Sequence, residues 1–557
     1  MEQARLFIAI GISFAVFFVW SIFFAPKPPE QPAQPQQETA QTDSGAPADQ
    51  AAPAQQDVVQ EPSQPEPMME TQPAQPSAKA DRKISVDTDL YRIEISERGA
   101  AVKSIVLKNF RETIAEDSDQ KELIDPQTRG GSALLAYRDS RDHRVENAIF
   151  TVDQSQDLIN VGSQPQVLKF RHQTNNGVII EKVYTFHSGS YLIDLAVRII
   201  NQGTQPVQGR LQLALRNVLG EDAGGYGFAG PSGLIGEDHE QVKLKKVEET
   251  PKIDGDVRWL AIEDQYFMTS IIPAKAMTGQ MLMDYKDQQL QNKLAFSTNE
   301  LQPADNQEFS FKLFMGPKSL SLLRSLNNDL DRAIDFGWVD FFAKPCLMLM
   351  NFIYRFIPNY GVAIIILTLI TRAMFWPLAQ KSYKSMGEMR KLQPLMQEIR
   401  EKYKGDKAKM NQEMMTLYRT YKINPMGGCL PMLIQLPVFF ALYRMLYQAI
   451  ELRHAPFFGW ITDLSAPDRL FEFGFKIPFM DPPYGIPVLT IIMGASMILQ
   501  QKMTPAPGDP TQAKMMMLMP VIFTFIFINF SSGLVLYWLV SNIFSIAQQY
   551  YTQKKQA

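Results

Sequence analysis

Hydrophobic positions fall into three regimes along the chain, and each predicts a different kind of element. Leu6–Phe24 is a continuous apolar run preceded by Arg5, long enough to cross a bilayer core of roughly 20 residues. Ala25 is followed by Pro26, a poor cleavage context, so residues 1–25 are expected to be a retained transmembrane anchor and not a removed signal. Residues 26–80 are rich in Pro, Gln and Ala, with Val58 and Val59 almost alone as aliphatics, and predict a disordered linker. From Lys83 the pattern has period two. Tyr91, Ile93 and Ile95 alternate with Arg92 and Glu94. The same alternation runs through Tyr191–Ile199, Leu211–Leu215 and Phe309–Met315, with turn signals at Asn175-Asn176-Gly177 and Ser188-Gly189-Ser190. Residues 81–318 therefore read as a large antiparallel β-sandwich.

The remainder reads as helix. Across 319–358, Leu320, Leu322, Leu323, Leu326 and Leu330 share one face; aromatics then mix with Asp340, Lys344 and Arg355, which predicts amphipathic interfacial helices, broken or bent at Pro345. Residues 359–551 hold five apolar runs of spanning length: Tyr360–Pro377, Met426–Ile450, Tyr484–Gln501, Met515–Phe530 and Leu534–Tyr550. The expected fold class is a multi-domain membrane protein: an α-helical bundle of five core transmembrane helices, an N-terminal anchor helix and an all-β domain. A short tail, 552–557, follows.

Charge orients this arrangement. The net charge of −3 carries no nucleic-acid signature. Eleven Lys and Arg lie between Lys381 and Lys422, against three in Glu451–Asp481, so the first loop is expected to be cytoplasmic. Alternation then puts both termini inside and residues 26–358 outside. Within 382–422, Met386, Met389, Leu392 and Met396 recur at helical spacing, as do Met410 and Met414 after Gly405-Asp406. This predicts a basic helical hairpin, kinked at Pro394, with its charges toward anionic headgroups and a Met seam able to hold varied apolar segments.

Candidate chemistry is sparse. Cys346 and Cys429 are placed near opposite membrane faces, and the five histidines are scattered, so neither a disulfide nor a metal site is indicated. The stretch Gly220–Gly236 lacks the Gly-Lys-Ser/Thr ending of a phosphate loop and is expected to be a mobile surface loop. No catalytic pair is recognisable and no cofactor is implied. The apolar runs contain no Asp or Glu, yet one carries Arg372, a cation costing about 2.5–3.5 kcal/mol at mid-helix. Snorkelling toward the flank that begins at Lys381 is one outlet. Placement in a wet cavity among hydroxyls and amides is the other, and a visiting acid would then supply the counter-charge. A proton-coupled transporter would use acidic or histidine relays, which these runs lack.

Four motifs carry a resemblance: Asn424-Pro-Met-Gly-Gly-Cys-Leu-Pro431, Gln435-Leu-Pro437, Phe440-Ala-Leu-Tyr443 and Ser532-Gly-Leu-Val-Leu-Tyr-Trp-Leu-Val-Ser-Asn542. Together with Arg372 they resemble the YidC membrane protein insertase family, in its Gram-negative form with a large periplasmic domain. The resemblance implies an all-β super-sandwich related to sugar-binding folds, and a non-enzymatic insertase and chaperone of the bacterial inner membrane. It would act on nascent inner-membrane proteins alone or with the Sec translocon, through a hydrophilic groove open to cytoplasm and lipid. It places Arg372, Thr368 and Tyr537 in that groove and Phe439 against substrate; Gln435 and Trp538, which stand in the motifs, join them. The hairpin matches a loop the family needs for insertion, and its basic face offers a site for a ribosome or signal-recognition receptor. The tail after Tyr551 is too short for the ribosome-holding role of long-tailed relatives. A transporter or channel, and an envelope scaffold whose β domain binds a partner or glycan, are the competing classes.

Overall fold

The computed structural model describes residues 81–115, 117–139, 145–220, 223, 227–421, 430–504 and 510–555. The anchor 1–25, the linker 26–80 and the first motif through Cys429 lie outside the described residues.

The period-two pattern becomes two sheets over one core. A five-stranded sheet runs Gln120–Glu122, Ala101–Arg111, Tyr91–Ser96, Lys83–Asp87 and Leu158–Asn160; only the last pair is parallel. A 13-stranded antiparallel sheet holds the rest, with Leu195 flanked by Tyr184 and Phe311 in register. The alternating residues Tyr91, Ile93, Ile95, Ile193, Leu195, Val197, Leu211 and Leu213 are all buried, as half-buried strands require. Lys182, wholly buried on Val178–Phe186, ties the layers together: its ammonium donates to Ala100 O at 2.6 Å and Ala133 O at 2.8 Å. Burial lowers its pKa to about 7.

The second half of the glycine-rich stretch departs from expectation, while residues 221–222 and 224–226 of the expected loop lie outside the described residues. Gly230–Ile235 is a buried strand paired with Asp238–Gln241 and Lys252–Glu263. A Cβ on Gly233 would sit 3.0 Å from Leu260 and 3.1 Å from Met281, so glycine there serves close packing, not mobility.

Among the described residues ten α-helices follow: α1 Leu320–Ser325, α2 Asp340–Phe356, α3 Tyr360–Met374, α4 Trp376–Lys391, α5 Gln393–Lys402, α6 Lys407–Thr420, α7 Leu430–Gln448, α8 Val488–Met503, α9 Pro510–Phe527 and α10 Ser532–Lys554. The leucine stripe is not one helix: Asn327 and Asp329 adopt left-handed backbone, and Leu330 is buried from a separate 3-10 turn. Pro345 lies inside a continuous α2. Tyr484–Ile486, expected to open a helix, pairs as a strand with Leu470–Phe473, and α8 starts after Pro487. Pro482, Pro483 and Pro487 account for that delay, since none can donate to a helix ladder.

No single helix among the described residues is both long and apolar enough to cross a membrane; α3 and α4 pass together but meet at 65° across Phe375. Pro377 in the first turn of α4 explains the break, because it has no N–H to give the Ala373 carbonyl four residues back and its ring crowds that carbonyl. Helix α10 is the hub, packing on α3, α4, α7 and α8. Its buried polar residues Ser541, Asn542, Ser545, Gln548, Gln549 and Thr552 line one side. Asn542 donates to Ser496 at 3.1 Å, and Gln549 caps α8 through Met503 O at 2.9 Å. Helices α8 and α9 touch so closely that a Cβ on Gly494 would lie 2.2 Å from Thr524 Oγ1.

The β part is fastened to the loop after α7. Arg453 donates to Arg111 O at 2.6 Å and Glu112 O at 3.0 Å, with its guanidinium over the rings of Phe267 and Tyr266. Gln265 donates to Tyr447 O at 2.7 Å. Glu451 accepts from Ser319 and Asn351, both at 3.2 Å, while its Oε2 is buried without a hydrogen bond. Burial raises its pKa, against the opposing hydrogen bonds. A carboxyl whose folded pKa is raised loses stabilisation as pH rises from its unfolded value through the folded one. Glu451→Gln is therefore expected to raise the melting temperature at pH 8 more than at pH 5; an equal change at both would exclude this linkage.

Candidate substrate site in the helical bundle

The break at Phe375 sets the site. It places Arg372 in the last turn of α3, about 18 Å along the helix from Tyr360 at 1.5 Å per residue. The negative end of the helix dipole offsets part of the cost of the charge there. Arg372 is half-buried, and its Nη1 donates to Gln435 Oε1 at 3.0 Å. Tyr537 from α10 and Tyr383 from α4 flank the guanidinium; Tyr537 also stands beside Gln435 and Ser541, and Tyr383 beside Ser545. Among the described residues Arg372 has no carboxylate partner, and the acceptor of its hydrogen bond is a neutral amide. A neutral acceptor leaves most of the cation's charge uncompensated and available to an anion.

The hydroxyls of Thr368 and Thr371 are turned to their own helix. Both are buried, and their hydroxyls donate backward, Thr368 to Ile364 O at 2.6 Å and Thr371 to Thr368 O at 2.9 Å. Their protons serve their own helix. Tyr383 was missed from sequence. It is eleven residues beyond Arg372, past the bend, and becomes visible only once α4 is seen to begin at Trp376.

One turn along α7 from Gln435 the chemistry changes. Phe439 and Trp538 pack edge to face, ring centroids 4.7 Å apart. Trp538 meets Phe527 at 4.9 Å, and Phe530 joins through Phe527 and Tyr443. Of the six residues singled out from sequence, Arg372, Gln435 and Tyr537 form a polar cluster. Phe439 and Trp538 form an aromatic one beside it. Thr368 lies a turn back on α3.

In the hairpin, α5 packs on α6 and the kink expected at Pro394 is a break at Leu392. Met396 is buried, with the Tyr418 hydroxyl 3.8 Å from its sulfur; Met386, Met389, Met410 and Met414 are half-buried. The first arm begins at Trp376, so hairpin and Arg372 helix share one bent unit.

The sequence comparisons now decide the family. Residues 83–349 match the model of the YidC periplasmic domain, and residues 352–557 that of the 60Kd inner membrane protein. The chain belongs to the YidC membrane protein insertase family. It is 44% identical over 480 residues to the membrane protein insertase YidC of Syntrophus aciditrophicus, covering 85% of both chains. It is 39% identical to the Pelobacter propionicus insertase over 563 residues, 99% of each. A solved structure titled as an active YidC insertase with its first transmembrane domain resolved aligns over 85% of this chain and 93% of its own. That alignment has 18% identity and a TM-score of 0.38. The large β part is thus the family's periplasmic domain, and the activity of the family is insertion.

Proposed function

We propose that this chain inserts and folds inner-membrane proteins through the polar cluster of Arg372, Gln435 and Tyr537, which opens a hydrophilic, cytoplasm-facing path beside lipid. The observation that carries this reading is the Arg372 guanidinium held by a neutral amide. An acidic residue of a translocating segment supplies the missing counter-charge, and polar neighbours lower the cost of bringing that hydrophilic segment into the bilayer. The Phe439–Trp538 cluster offers the apolar part of the substrate a surface on its way to lipid. With no nucleotide motif in the sequence, hydrophobic partitioning drives the step, aided by membrane potential acting on substrate charge.

In this reading residues 1–25 anchor the chain, 26–80 tether it, 81–318 form the periplasmic domain, 319–358 lie at the interface and 359–551 form the core. Both termini face the cytoplasm. The basic face of α4–α6 supports contact with headgroups and with a ribosome or signal-recognition receptor, and the Sec translocon is a partner for larger substrates. The half-buried methionines of the hairpin receive apolar segments before insertion.

Proteoliposomes holding only this protein test the assignment. Insertion of a small membrane protein, with no solute leak above that of empty vesicles, is expected. Solute flux without insertion would move the chain to the transporter class.

A further inference from the structure

The loop between α7 and α8 displays aromatic side chains that no other side chain among the described residues covers. Phe479 is 89% exposed, Phe471 69% and Phe475 65%; Phe473 and Phe475 stack at 5.3 Å. This display is built. Phe471 and Phe479 both sit at positive φ, +56° and +64°, a region costly for a bulky residue. The hairpin of Leu470–Phe473 and Tyr484–Ile486 is tight enough that a Cβ on Gly485 would lie 2.6 Å from Phe471 O.

A polar frame holds the hairpin against the helix ends. Arg469 donates to Pro483 O at 2.8 Å and Ile528 O at 2.9 Å. Asn529 accepts from Asp481 N at 2.9 Å and donates to Phe479 O at 3.1 Å. Asp468 caps α8, accepting from Leu489 N at 2.7 Å and the Thr490 hydroxyl at 3.0 Å. The frame thus fixes the phenylalanines at the end of α9 and the start of α8. From there the outward faces of both helices continue as exposed apolar side chains: Ile491, Ile492 and Leu499 on α8, Leu518, Ile522 and Phe525 on α9. The aromatic display is the end of that apolar face.

We propose that the 470–486 hairpin is a membrane-interface wedge, its Phe471, Phe475 and Phe479 rings seated among the headgroups and upper acyl chains of the outer leaflet. It rests on the membrane topology proposed above. Aromatic rings favour that zone, where an apolar body meets a wet surface. The exposed Glu472 and Lys476 beside them oppose each other in sign, so ring burial and not headgroup charge sets the contact. Tied through Arg469 and Asn529, the wedge fixes the depth of α8 and α9.

The test uses the full chain with Cys346→Ser and Cys429→Ser, and one cysteine at a time carrying an environment-sensitive fluorophore. Phe479→Cys and Phe475→Cys report the wedge; two sites keep the result readable if one substitution disturbs the hairpin. Ile522→Cys reports the apolar face, and Val167→Cys an exposed site on the β part. In phosphatidylethanolamine–phosphatidylglycerol vesicles carrying nitroxide lipid, labels at 479, 475 and 522 are expected to be quenched severalfold more by lipid nitroxide than by aqueous iodide. The label at 167 should show the reverse. If 479 and 475 behave like 167 while 522 follows the lipid, the wedge is wrong and the topology stands. If 522 also behaves like 167, both fall. Labels at 479 and 475 reached by neither quencher would mark a protein contact, a second copy included, and overturn the wedge.

Discussion

Replacing Arg372 with alanine is expected to abolish most insertion of substrates whose translocated segment carries acidic residues, and to spare neutral ones. A charge-assisted hydrogen bond in a partly desolvated site contributes about 1.5–3 kcal/mol, roughly ten- to hundredfold in the occupancy of the bound state. The loss should grow with each acidic residue added to an otherwise fixed substrate, because the guanidinium's partners among the described residues, the Gln435 amide and the flanking tyrosines, are neutral and leave charge to spare. Arg372→Lys keeps the charge but not the fork, so partial activity is expected if attraction dominates and little if paired hydrogen bonds matter. Gln435→Leu removes the tether and leaves the cation, so its effect should be smaller than that of Arg372→Ala. Initial insertion rates in proteoliposomes, at equal reconstituted protein, measure all three. Rates independent of substrate acidity in Arg372→Ala would remove the electrostatic role.

Legibility from sequence tracked how local each signal was. Alternation at Tyr91–Ile95 and Leu211–Leu215 was readable because a strand buries every second residue, whatever the remainder of the sheet does. The pairing order of 13 strands was not, since it rests on contacts between distant segments. Gly230–Ile235 was misread as loop because glycine serves two ends, turn and close packing, and only the neighbours Leu260 and Met281 distinguish them. Helix bounds slipped where proline acts at a distance. Pro377 ends α3 at Met374, and the prolines before Val488 turn an expected helical turn into strand. In the site, Arg372 stood out because a cation in an apolar run is costly. Gln435 and Tyr537 came only with the family motifs, and Tyr383 came only with the bend. Thr368 shows the converse: a hydroxyl in the right place whose proton is already committed to Ile364 O.

Lys318→Met is expected to be among the most damaging changes outside the bundle. Lys318 leaves the strand Asn306–Pro317 just before α1, and its ammonium meets the wholly buried carboxylate of Glu263 at 3.0 Å. Ser232 donates to the same carboxylate, and His239 stands 3.9 Å away. Burial pushes the Glu263 carboxyl up, but Lys318, His239 and Ser232 outweigh it and leave the group below its usual range. Removing the lysine strands a buried charge, a loss on the order of 3–5 kcal/mol. Adding Glu263→Gln to Lys318→Met neutralises the stranded group and should recover much of that. The pH dependence gives a second reading. A carboxyl with a lowered folded pKa stabilises above its unfolded pKa of about 4.3, and that contribution is lost as pH falls through the folded value. In Lys318→Met the unpaired carboxyl takes up a proton instead, so the gap to wild type should be wide at pH 7 and narrow at pH 4. Thermal melts of the full chain, followed through its strand signal, measure the gap. A gap unchanged between the two pH values would mean that the loss comes from packing around the lysine stem and not from the ion pair. Because this pair sits where the sheet feeds α1, and Ser319 beside it bonds Glu451, its loss should also loosen the seat of the β part on the bundle. Faster proteolysis between Leu320 and Asp340 in Lys318→Met than in wild type would report that loosening.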